Sequence, residues 1–158
     1  MKIFFENLKP VSTNKIYVGM GRSRSKTKEY KYMEQVVKFK LLRHGGLVRE
    51  FIGEPGQWTA PIKMELTFYV PKTRLFTKKC AISKTSGDLD NFQKSFIDAV
   101  FNNLGIDDSL VCDIVAKKRA SNNSEFHILL KMSEMKMGEL DDGTWNSTGK
   151  QEEEEAYH

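Results

Sequence analysis

The chain has 158 residues, 39% of them hydrophobic and 29% charged, with a formal net charge of +4. That size suits one domain with a real core, and no run approaches the roughly 18 apolar residues of a membrane-crossing helix. Cys80 and Cys112 lack metal-site spacing and His44, His127 and His158 are scattered, which argues against a Cys/His zinc site and leaves reduced thiols of a cytosolic protein as the expectation.

The opening "MKIFFENLKP" has only a short apolar run, so it is not expected to be a secretion signal. "KIFFENL" predicts a first strand. The Ser-, Gly-, Asn- and cation-rich "KPVSTNKIYVGMGRSRSKTK" predicts a loop. Over residues 27–44, Tyr30, Met33, Val37 and Leu41 recur at helical spacing, and Gly45-Gly46 is the expected stop. After the turn-rich "EPGQWTAP", Ile62, Met64, Leu66, Phe68 and Val70 alternate with Lys63, Glu65, Thr67 and Tyr69, the pattern of a half-buried strand.

"PKTRLFTKKCAISKTSG" predicts a basic loop. A helix is expected over residues 89–104, with Leu89, Phe92, Phe96, Val100 and Leu104 as its apolar stripe and Gly105 as its end. "SLVCDIVAKKRA" predicts a strand, "SNNS" a turn and "EFHILLKM" a second strand antiparallel to the first. The expected fold is therefore a single α/β domain of the α+β type. About four strands form a mixed sheet with two main helices packed on it.

Residues 134–158 carry eight acidic and two basic residues, a net of −6, so residues 1–133 hold +10 of the chain's +4. The expected organisation is a basic domain over 1–133 and an acidic, disordered tail over 134–158. A basic body points to a polyanionic partner, nucleic acid first, against the plainer reading of a solvated lysine-rich surface.

The stretch "SGDLDNFQKSFIDAVFNNLGIDDSLV" gathers Asp88, Asp90, Asp98, Asp107 and Asp108 around the second helix. Each alone is explained by helix capping or turn formation, since aspartate is a favoured N-cap and its charge suits the helix dipole. Together they suggest more. Asp88 and Asp90 point to one side of an extended entry. Asp90, Lys94 and Asp98, at i, i+4 and i+8, form one polar stripe opposite the core face. Crowded carboxylates repel, and a divalent cation with hard oxygen ligands removes that problem. Such a site orients a phosphodiester and acidifies a water, while a nearby lysine neutralises charge building on the phosphate.

This stretch resembles the signature of the RusA family of Holliday junction resolvases. The resemblance rests on Asp88-Leu89-Asp90-Asn91, Lys94, Asp98-Ala99 and the pair Asp107-Asp108 before a strand. "KPVSTNKIYV" is similar to the family's entry loop, with Asn14 in the asparagine position. The order of elements agrees over residues 2–132. The resemblance implies an Mg²⁺-dependent endonuclease, with Mn²⁺ as a possible substitute. It would act as a homodimer that nicks opposed strands of a four-way DNA junction in recombination and repair. It further implies Asp88, Asp90 and Asp108 as metal ligands, Lys94 at the phosphate, and Asn91 and Asn14 as supporting residues. The connection from Asp98 to Asp107 is shorter than the family pattern, which keeps Asp107 as the alternative to Asp108. The cytoplasm of a bacterial or phage-infected bacterial cell is the setting it implies.

Candidate DNA contacts are Lys15, Arg22, Arg24, Lys26, Lys28 and Lys31, interleaved with Tyr17, Tyr30 and Tyr32. Cations on a Gly/Ser loop can follow a phosphate backbone, and tyrosines can stack on unpaired bases. Tyr30, at helical spacing, fits the core better. Lys72, Arg74, Lys78 and Lys79 form a second group just before the aspartates. Lys117, Lys118 and Arg119 form a third, expected at a hairpin end. Two other functions fit the same residues: a non-catalytic DNA-binding protein, and a metal-dependent nuclease for other branched DNA.

Overall fold

The structure, a computed structural model, describes residues 1–54 and 56–140. It is of the α+β class, a four-stranded mixed sheet with its helices on one face. Strand β1 (Lys2–Phe5) leads to a small hairpin of β2 (Tyr17–Val18) and β3 (Ser25–Lys26). Then come α1 (Lys28–Arg43), α2 (Gly45–Ile52), β4 (Ile62–Pro71), the single turn α3 (Lys72–Leu75) and α4 (Leu89–Leu104). Strands β5 (Val111–Ser121) and β6 (His127–Glu134) complete the sheet. Among the described residues, no helix is long and apolar enough to cross a membrane.

The strand order is β1-β6-β4-β5. Ile62, Met64, Leu66, Phe68 and Val70 of β4 are all fully buried, which explains why this strand takes an interior position. The alternate residues face the other side of the sheet, where Lys63 pairs with Asp113 at 3.0 Å and Lys131 with Glu65 at 3.4 Å. Pairs this exposed contribute little, under about 1 kcal/mol each. The sheet's stability therefore comes from the apolar face.

The expected pairing of β5 with β6 does not form. Strand β4 lies between them, parallel to β5 and antiparallel to β6. Residues 122–126 step across it, a span of about 10 Å for two strand spacings. Five residues at roughly 3.3 Å each reach that far. Parallel neighbours need a crossover connection, and α4 supplies it between β4 and β5. Lys117, Lys118 and Arg119 are consequently not at a hairpin end but within β5, paired to Thr67, Phe68 and Tyr69.

The glycine pair also behaves differently from a plain stop. Helix α1 does end at Arg43, but the chain restarts at once as α2. Glycine costs about 1 kcal/mol in a helix. Leu47, Val48, Phe51 and Ile52 offset that cost by packing on the core, and Phe51 also meets Trp58 at 5.0 Å between ring centres.

Helices α1 and α4 pack beside each other on the sheet. The first buries Tyr30, Met33, Val37 and Leu41; the second buries Phe92, Phe96, Val100 and Leu104. Phe96 stands edge-on to Phe5 at 5.2 Å and to Phe68 at 6.2 Å. These contacts fix the rotation of α4 and turn Asp90, Lys94 and Asp98 away from the sheet. Of the acidic segment expected from residue 134, β6 ends at Glu134 and one turn follows at Met137–Glu139. The remainder, 141–158, lies outside the described residues.

Candidate active site

The site is built at the entrance to α4. Asp88 occupies the N-cap position in extended conformation (φ −85°, ψ 134°), yet its side chain makes no capping bond. Only its carbonyl is used by the helix, accepting from the Phe92 N–H at 3.1 Å. The capping explanation therefore fails for this carboxylate. Asn91 reaches back, its Nδ2 3.4 Å from Asp88 Oδ2. Asp90 follows in the first turn, exposed and outside every salt bridge among the described residues. The positive end of the helix dipole favours both carboxylates there.

The loop after β1 is stitched onto this helix. Thr13 Oγ1 donates to Asn91 Oδ1, and the buried Ser95 hydroxyl donates to the Val11 carbonyl. Asn91 is thus held by Thr13 on one side while it touches Asp88 on the other. Thr13 was not singled out from the sequence; its place one residue before Asn14 is the only signal it gave. Asn14 itself is exposed on the Thr13–Lys15 turn, and its side chain makes no hydrogen bond among the described residues.

The other aspartates sit farther along. Asp98 is half-buried, and burial raises its carboxyl above the usual range, reinforced by the charge of Asp108 and opposed by Lys94. Asp107 caps the short turn Asp108–Leu110, its Oδ1 accepting from the Ser109 N–H at 2.9 Å. That bond holds its carboxyl below the usual range. Asp107 therefore has a structural task, and Asp108 is the freer member of the pair.

A cavity of about 580 Å³ joins these groups, lined by Asp98, Asp107 and Asp108 and by the cations Arg24, Lys26 and Lys94. Asp88 and Asp90 are not part of its wall. Asp98 lies eight residues on from Asp90 in the helix, about 12 Å along the axis. Asp98 and Asp108 share the cavity wall with Lys94, while Asp88 and Asp90 stand outside it at the helix entrance. Among the described residues, no three acidic, His or Cys side chains come close enough to hold a metal ion. The single cradle expected from the sequence is not closed among the described residues. As donors the groups still suit Mg²⁺: hard carboxylate oxygens, with no ion pair at Asp88, Asp90 or Asp108 among the described residues.

The basic candidates divide. Lys15, Arg22, Arg24 and Lys28 are exposed around the β2–β3 hairpin. Arg24 lies over the Tyr17 ring at 4.2 Å from its centre, covering one face of that ring. Lys26 is paired with Glu34 at 2.6 Å, so it is less free for phosphate than its neighbours. Tyr30 is core, as its spacing predicts, and its phenol is pushed up to about 12, first by burial and then by Glu34, Asp98 and Tyr17. Arg74 is exposed on α3, and Lys78 and Lys79 are exposed in the turn closed by the Phe76–Ile82 bridge.

A comparison with curated proteins finds no match. The profile of the family described as Endodeoxyribonuclease RusA matches residues 8–131, a span holding the entry loop, the aspartate helix, β4, β5 and most of β6. With most of its length matched and its aspartate-bearing helix inside the match, the chain belongs to the RusA family and is an endodeoxyribonuclease.

Proposed function

We propose that the protein is a Mg²⁺-dependent resolvase that acts as a homodimer and cuts four-way DNA junctions by paired, symmetric nicks. Family membership supports junction resolution. The observation that carries the metal-dependent chemistry is the pair of carboxylates at the mouth of α4, Asp88, which makes no capping bond, and Asp90, both outside every salt bridge among the described residues. Lys94 lies one helical turn beyond them.

In this reading Asp88, Asp90 and Asp108 hold the cation, with Mn²⁺ an acceptable substitute. Asp108 is the choice over Asp107 because Asp107 is engaged by Ser109. When bound, the cation would neutralise the phosphate and lower the pKa of a water. Lys94 meets charge developing on the scissile phosphate. Asn91, fixed by Thr13, keeps the Asp88 carboxylate aimed. Asn14 and the exposed Lys15, Arg22, Arg24, Lys28, Arg74, Lys78 and Lys79 hold the flanking strands, with Lys26 contributing field rather than contact. Binding of this kind weakens steeply with salt.

Asp88 and Asp90 stand outside the cavity wall that holds Asp108, which supports a site shared across a homodimer. One copy offers Asp88 and Asp90, and Asp108 of the partner subunit supplies the third oxygen donor. Two such composite sites would follow from a two-fold axis, and they match the two opposed strands of a junction.

A labelled four-way junction tests this reading. Wild type is expected to give paired nicks with Mg²⁺ and none in EDTA. Asp90→Asn is expected to bind the junction but not cut it. Cutting in EDTA, or full activity in the variant, rejects the mechanism. Equal cutting of linear duplex rejects junction selectivity and leaves a nuclease of broader substrate.

A further inference from the structure

Three consecutive cations, Lys117, Lys118 and Arg119, lie on β5. The strand's alternation separates them. Lys117 and Arg119 are exposed, whereas Lys118 is half-buried between them. The Lys118 ammonium donates to the Ser86 hydroxyl at 2.9 Å and to the Gly87 carbonyl at 2.8 Å. Ser86 is 5% exposed. No carboxylate lies within salt-bridge distance of Lys118 among the described residues. A half-buried cation without a counter-charge costs free energy unless its donors are well used. Here two of its three donors are spent on the two residues that directly precede Asp88.

That segment is under further constraint. Gly87 has φ +90°, and a Cβ there would run into the Phe92 ring of α4. Phe92 in turn packs on Phe68, which is the β4 partner of Lys118 in register. Lys118, Gly87 and Phe92 therefore hold the Asp88 backbone against the sheet from one side. Thr13 and Asn91 hold its side chain from the other.

We propose that Lys118 is a positioning residue for the metal site: its ammonium clamps the Ser86–Gly87 backbone and so sets where the Asp88 carboxylate stands. The proposal rests on the reading of Asp88 as a ligand. A positioning group behind a metal ligand typically governs affinity by 10–100-fold.

The test is calorimetric Mn²⁺ binding to the full-length protein, compared across wild type, Lys118→Met, Lys118→Arg and Ser86→Ala. Thermal melting and junction binding in EDTA are measured alongside. Lys118→Met is expected to weaken Mn²⁺ affinity by at least about tenfold and to raise the Mg²⁺ concentration for half-maximal cutting in parallel. Junction binding in EDTA should stay near wild type. Ser86→Ala removes one of the two bonds and should weaken affinity by about fivefold, the scale of one hydrogen bond. Lys118→Arg, which keeps donors, should recover part of the loss. Unchanged Mn²⁺ affinity in Lys118→Met overturns the proposal. If that variant does not fold, unchanged affinity in Ser86→Ala overturns it. A wild type that binds Mn²⁺ yet cuts no junction would instead count against the proposed function and leave the clamp standing.

Discussion

Helix α4 carries aspartates at both ends, and the two ends treat them differently. At the start, Asp88 sits where a capping side chain belongs and does not cap, and Asp90 has no ion pair among the described residues. Beyond the end, Gly105 closes the helix in left-handed conformation, Asp107 is consumed by a turn, and Asp98 is half-buried beside Asp108. A carboxylate with a local backbone partner is explained by folding. One that declines an available partner, in a place where the helix offers several, is available for a ligand. Asn91 Nδ2 reaches the Asp88 carboxylate, and Lys118 donates to Ser86 and Gly87 just before it.

The sharpest way to break this comparison is to neutralise the two adjacent aspartates separately. Asp108→Asn should reduce junction cutting by at least about 100-fold, the scale of losing a group that stabilises the transition state. Asp107→Asn should leave cutting within a few-fold of wild type. The reverse ranking would make Asp107 the ligand and remove the distinction drawn between them.

Stability responds less, and with opposite signs for two of the acids. Asp98 has a folded-state pKa raised above its unfolded value. Its charged form therefore opposes folding at neutral pH, and the penalty fades as pH falls through the raised value. Asp98→Asn should melt slightly above wild type at pH 7, with the gap closing toward the ordinary carboxylate range. Asp107 has a folded-state pKa lowered below its unfolded value. Its contribution is present above the ordinary carboxylate range and is lost as pH falls through the lowered value. Asp107→Ala should melt slightly below wild type at pH 7 and converge with it in acid. A melting-temperature series over pH reads both effects.

Much of this architecture was legible in the sequence. The stripe Phe92, Phe96, Val100 and Leu104 and the alternation along β4 are periodic signals of single elements, and both hold. Two readings failed where the deciding contact was distant. Gly45-Gly46 opens a helix because Phe51 and its neighbours find a core that local propensity does not see. Strands β5 and β6 look like a hairpin until β4 claims the place between them. At the site, residue type identified the aspartates, and the i, i+8 spacing of Asp90 and Asp98 already implies about 12 Å between them along α4, which the expectation of a single cradle passed over. Lys118 stood out only as one of three consecutive cations and Thr13 only as the neighbour of Asn14, since their partners lie about 31 and 78 residues away in sequence.

The central claim is that each metal site is shared between two copies, and subunit mixing tests it most directly. Asp90→Asn and Asp108→Asn chains are each expected to be inactive alone. Refolded together, a mixed dimer would hold one site with both defects and one with neither. The account predicts that the mixture regains junction cutting, as single nicks rather than paired ones. A mixture as inactive as either variant alone, with mixed dimers shown to form, would place all three carboxylates in one chain and contradict it.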